Sequence, residues 1–114
     1  MIKIKRIYED ASPEDGMRIF VDRLWPRGMK KEDAHFDLWL KDIAPSSSLR
    51  KWFGHDPNRW PEFKAKYMEE LKLMEEELSI IIRAEAEGTV TLLYAARDVR
   101  HNEAVVIKDF VKHT

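Results

Sequence analysis

The stretch Thr89 to Ala96 (TVTLLYAA) is a nearly unbroken run of apolar, strand-forming residues. A strand with one wet face alternates apolar and polar side chains, whereas a strand that does not alternate needs cover on both faces. The run therefore points to an α/β domain with this strand at the centre of its sheet, and argues against an all-helical core. Covering material is present as well. Trp60, Phe63, Tyr67, Leu71, Met74, Leu78 and Ile81 fall 3, 4, 4, 3, 4 and 3 residues apart, which lays one apolar stripe along a helix. A chain of 114 residues with 44% hydrophobic content builds one core, so residues 1–114 are expected to form a single domain.

The remaining elements follow from local signals. Ile2, Ile4 and Ile7-Tyr8 mix with Lys3, Lys5 and Arg6, an imperfect alternation that suits an edge strand. Glu9 to Gly16 holds Pro13 and the turn-prone Asp15-Gly16. It is too short for a helical crossover, so the second strand, Met17 to Leu24, is expected antiparallel to the first. Phe36 to Ile43 keeps near-helical apolar spacing up to Pro45 and is expected to be a helix. Leu49 to Phe53 makes a short helix capped by Ser46 or Ser47 and ended by Gly54. The long stripe defines a third helix with Asp56 or Asn58 as cap, Pro57 or Pro61 in its first turn and Gly88 at its end. Asn102 to Val111 fits a helix better than a strand. The order is β-β-α-α-α-β-α, a small mixed, mainly parallel sheet flanked by helices. A right-handed helical connection makes the second strand and the Thr89–Ala96 strand parallel.

Several chemistries are excluded. With no Cys, disulfides, thiolate nucleophiles, zinc ribbons and iron–sulfur clusters have no ligands. No apolar run approaches the roughly 18 residues that span a bilayer, and Met1 to Arg6 alternates instead of forming a signal peptide. A cytoplasmic protein without membrane contact is the expectation. His35, His55, His101 and His113 show no HxH or HExxH spacing, and no P-loop, GxGxxG or GxSxG motif occurs, so neither a metal nor a nucleotide cofactor is indicated. Twenty Lys and Arg oppose 21 Asp and Glu for a net charge of −1, and any anion preference must come from a local patch.

Such a patch has a natural place. Ligands of open α/β sheets settle at the carboxyl ends of parallel strands. The second strand is followed by Asp22-Arg23-Leu24-Trp25-Pro26-Arg27-Gly28, and the central strand by Arg97-Asp98-Val99-Arg100-His101-Asn102-Glu103. If these strands are parallel, Arg23, Arg27, Arg97, Arg100 and His101 are candidates for one cationic pocket. Arginine holds carboxylate or phosphate through a planar fork and stays charged, so a small anionic, phosphate-bearing ligand is the expected partner. A helix starting near Asn102 adds free backbone amides. His101 suits acid–base work with Asp22 or Asp98, which leaves open whether the protein is an enzyme. Trp25, beside Pro26 and between two arginines, is the candidate stacking platform. Two further readings stand beside this one: nucleic-acid binding through Trp25, Arg27, Lys30-Lys31 and Arg50-Lys51, and an adaptor using exposed aromatics or the acidic helix, where Glu62 to Glu87 carries eight acids against four bases.

Taken together, VDRLWPRG at 21–28, Ala44-Pro45-Ser46, Leu49-Arg50-Lys51-Trp52-Phe53, His55-Asp56-Pro57, LLYAARD at 92–98 and His101-Asn102-Glu103-Ala104 resemble the YeaO-like family, domain of unknown function 488. The resemblance runs in order over nearly the whole chain and implies a small α/β protein with no established activity. Regulatory labels attached to relatives find no support here, since no winged helix-turn-helix pattern is present. Members of the broader family carry a Cys near the end of the corresponding last strand. This chain has Tyr94-Ala95-Ala96 there, so any thiol chemistry of those relatives does not carry over, while the resemblance leaves room for an anion-binding geometry.

Overall fold

The computed structural model describes residues 1–113. Among them the strands β1 (Ile2–Arg6), β2 (Met17–Phe20), β3 (Leu38–Trp39) and β4 (Val90–Tyr94) form one sheet in the order β1-β4-β2-β3. Each neighbouring pair is parallel. The helices are α1 (Ser47–Phe53), α2 (Trp60–Leu71), α3 (Glu75–Glu87) and α4 (Glu103–Lys112). The α/β class, the edge position of β1 and the central, fully buried β4 agree with expectation.

Three details of the expected order are corrected. First, β1 and β2 are not an antiparallel pair: β4 lies between them and all three run the same way. A return link needs no helix when the strand is short. Eight extended residues reach about 26 Å, more than the roughly 17 Å length of a five-residue strand. Second, Phe36 to Ile43 is not a helix but β3 followed by a 3-10 turn at Lys41–Ile43. Leu38 and Leu40 enter the helix-covered core while Trp39 joins a cluster on the other side of the sheet. Period-two packing with both faces apolar is easily mistaken for a short helical stripe. Third, the long helix is two: α2 ends at Leu71 and α3 starts at Glu75. The break turns through Lys72 and the exposed Leu73, while Met74 still packs on the core, so the apolar stripe survives the interruption. The order is β-β-β-α-α-α-β-α.

Packing is unequal on the two faces. On one, Ile2, Ile19, Val21, Val90, Leu92 and Tyr94 share a core with residues of all four helices. On the other, Phe20 and Leu93 with Ile7 form a small cluster covered by Met29 and Phe36 from the segment between β2 and β3 and by Trp39 of β3. At the amino edge the buried Asp15 carboxylate accepts from Lys5 Nζ at 3.1 Å, from the Ser12 amide at 3.0 Å and from Arg18, while its carbonyl accepts from Thr91 Oγ1 at 2.7 Å. Gly16 is required beside it: at φ +63 its added Cβ would lie 2.0 Å from the Thr89 carbonyl oxygen. No helix of the described residues is long and apolar enough to cross a membrane.

Candidate functional site

Because the sheet is parallel throughout, every strand delivers its carboxyl end to the same edge, and there the chain forms a cleft of about 1060 Å³. The β2 and β4 loops meet in it because the two strands are hydrogen-bonded neighbours. Their pairing runs past the ladder: the Val21 amide donates to Leu93 O at 3.1 Å, and the Ala95 amide donates to Asp22 Oδ2 at 3.0 Å. Asp22 thus pins the two loops together, and its carbonyl accepts from Trp39 Nε1 at 2.7 Å. Its other carboxylate oxygen, Oδ1, is buried with no partner among the described residues. Burial pushes the Asp22 carboxyl up to about 6, against the opposing pull of the Ala95 amide and the positive charge of Arg50.

The loop after β4 is organised by Asp98. Its Oδ1 accepts from the amides of Arg100 at 2.9 Å and His101 at 3.0 Å, and its Oδ2 lies 2.8 Å from His101 Nδ1. The Arg100 amide and the His101 ring hold the carboxyl below the usual carboxylate range, outweighing desolvation. An ionised Asp98 can only accept, so Nδ1 carries the proton and Nε2 faces outward from the pair. Trp60 braces the imidazole edge-on at 5.1 Å. Asn102 caps α4, its Oδ1 accepting from the Val105 amide at 3.1 Å and its Nδ2 donating to Asp98 O at 3.0 Å.

Of the residues expected from the sequence, Asp22, Arg23, Trp25, Arg27, Arg97, Asp98, His101 and Asn102 all line the cleft, and Arg100 does not. Their states differ. Arg27 and Arg97 are exposed, with no side-chain hydrogen bond or ion pair among the described residues. Arg23 donates to Ala44 O at 3.2 Å, but its Nε is buried without a partner. Asn102 is buried, with its amide oxygen and its amide nitrogen each holding one backbone partner. Trp25 is half committed, donating to Met29 O at 2.8 Å and meeting Trp39 and Phe36 edge-on at 5.7 and 6.1 Å. Sequence reasoning did not place Arg6, Arg50 or Glu103 in this pocket, having offered Arg50 only for the alternative nucleic-acid surface, yet all three lie on the same walls. Arg6 ends β1 and donates to the carbonyls of Ala96 at 2.9 Å and Ala95 at 3.1 Å. The expected antiparallel β1 would have sent it to the opposite edge. Among the described residues no group of three or more His, Asp or Glu is placed to hold a metal ion.

These features define a class: a small parallel α/β protein with an arginine-rich cleft at the carboxyl edge of its sheet. The whole chain, residues 1–114, matches the family described as "Inactive DUF488-N3 subclade". It is 40% identical to the uncharacterised protein YeaO of Escherichia coli (strain K12) over 111 residues, 97% of this chain and 96% of YeaO. An uncharacterised protein of Mycobacterium tuberculosis (strain H37Rv) is also 40% identical, over 106 residues covering 93% of this chain and 89% of the relative. The chain belongs to the YeaO-like DUF488 family. No solved structure matches it at a significant level.

Proposed function

We propose that this cleft binds a small anionic ligand carrying a phosphate group. The observation that carries the reading is that Arg27 and Arg97, from two different strand-end loops, line one cleft while neither guanidinium has an acidic partner among the described residues. A guanidinium is a bidentate donor to phosphate. Arg6, Arg23 and Arg50 add positive charge on the same walls, and the amino end of α4 faces the cleft through Asn102 and Glu103. In this reading His101, held by Asp98 through Nδ1, lines the cleft beside the arginines and shapes its wall.

Binding without turnover is the form we favour. The matched family is described as inactive, and no thiol is available in a chain without Cys. The test is a thermal-stability panel of phosphate, sulfate, sugar phosphates, nucleotides and short single strands at low and high salt. A ligand at a hundred times its Kd stabilises by about 2.7 kcal/mol, or about 10 °C at roughly 4 °C per kcal/mol for a chain of this size. The expected result is a shift from a small phosphate compound that disappears in Arg27→Ala and Arg97→Ala, with the free proteins melting as the parent does. A shift from oligonucleotides alone, lost at high salt, refutes the small-ligand reading.

A further inference from the structure

Three buried side-chain polar atoms lack a hydrogen-bond partner among the described residues: Asp22 Oδ1, Arg23 Nε and Glu103 Oε1. All three residues line the same cleft. Elsewhere burial is matched by partners, as at Asp15, at Tyr67, whose hydroxyl donates to Ile43 O at 2.6 Å, and at Thr91. Unpaired buried polar groups are few in folded chains, and their collection in one concavity marks where an occupant completes the bonding.

The chemistry of the three atoms narrows the occupant further. Ionised carboxylate oxygens only accept, and a guanidinium nitrogen only donates. A bare inorganic anion would satisfy Arg23 and the free arginines but would be repelled by Asp22 and Glu103. Ammonium donors would meet the carboxylates but face Arg6, Arg23, Arg27, Arg50 and Arg97 across the cleft. A hydroxyl both donates and accepts without adding charge, so hydroxyls suit a wall that holds both Asp22 Oδ1 and Arg23 Nε.

We infer that the ligand is a polyol phosphate: a phosphate group taken by the arginines, joined to hydroxyls that donate to Asp22 and Glu103 and accept from Arg23. The inference rests on the anion-binding reading and adds the half of the ligand that the arginines do not see. A free sugar phosphate and the ribose phosphate of a nucleotide share this chemistry.

Calorimetric titration of the full chain with inorganic phosphate, methyl phosphate, ribose 5-phosphate and adenosine 5′-monophosphate tests it. The expected result is binding of a ribose-bearing phosphate about tenfold or more tighter than methyl phosphate, the scale of one charge-assisted hydrogen bond. The tighter of the two ribose compounds identifies a sugar or a nucleotide as the source. Asp22→Asn retains an acceptor for the Ala95 amide, and Glu103→Gln changes no bond within the described residues. Each should shrink the ribose advantage several-fold without weakening methyl phosphate. Methyl phosphate binding as tightly as ribose 5-phosphate overturns the inference and leaves the anion reading intact. Failure of all four compounds to bind overturns the anion reading itself.

Discussion

Asp22 is the residue at which function and stability are most directly opposed, and replacing it by Asn measures the conflict. Its carboxyl is pushed from 3.8 in the unfolded chain to about 6 in the folded one, chiefly by burial. The folded state therefore binds this proton more tightly than the unfolded state does. Stability from this group is fully present below pH 4, declines as pH rises between about 4 and 6, and stays low above that. The difference corresponds to about 3 kcal/mol at pH 7.5 and about 0.5 kcal/mol at pH 4. The carboxamide of Asp22→Asn has no proton to lose. Any constant cost of its buried amide nitrogen cancels when one protein is compared at two pH values, and the other titrating groups are common to both proteins. The Asn variant should therefore gain about 2–3 kcal/mol on the parent between pH 4 and pH 7.5, or roughly 1–2 M in urea midpoint. Urea unfolding followed by circular dichroism at the two pH values measures this directly. Midpoints that move in parallel would show that Asp22 is solvated in the folded protein, and would remove the basis for an unpaired Oδ1 in the cleft.

Three further outcomes are expected. Arg27→Ala and Arg97→Ala should each change unfolding free energy by less than about 0.5 kcal/mol, since both side chains are exposed and unengaged; a larger loss in chemical denaturation would make them structural residues. Asp15→Ala should cost about 3–5 kcal/mol by leaving the buried Arg18 charge without its partner, while phosphate binding to the fraction still folded stays unchanged because Asp15 lies at the opposite edge of the sheet. Gly16→Ala should cost on the order of 1–3 kcal/mol in backbone strain, with the Thr89 carbonyl clash in addition; a melting temperature equal to the parent's would contradict the turn geometry.

What the sequence made legible follows from how local each cause is. The central strand was readable because burial on both faces erases alternation, and β4 is buried along its whole length. Ser46 and Gly54 bracket α1 as expected, the Ser46 hydroxyl accepting from the Leu49 amide at 3.3 Å and Gly54 adopting the left-handed conformation. The break at Lys72-Leu73-Met74 was not readable, since no Pro or Gly marks it and Met74 keeps the apolar stripe continuous. The β3 error has a similar root. An edge strand held by amides at Asp37 and Leu40 donating to Arg18 O and Phe20 O depends on a partner strand remote in sequence, which no local pattern reveals.

The site was half legible for the same reason. Arg23, Arg27, Arg97 and His101 could be grouped because one assumption, that β2 and β4 are parallel, brings their loops together. Arg6 and Glu103 needed the full topology, and they change the chemistry. Arginines alone describe a generic anion sink, whereas Asp22 and Glu103 beside them describe a cleft with two polarities. An unpaired buried polar group costs about 1–3 kcal/mol, and three of them are a large share of the roughly 5–15 kcal/mol that holds a domain together. A chain that satisfies Asp15 with three donors at one edge of its sheet and leaves Asp22, Arg23 and Glu103 wanting at the other has concentrated its instability where bonds from a ligand would relieve it. Stabilising replacements at these three positions should accordingly be easy to find, and each should weaken the binding that the cleft is proposed to perform.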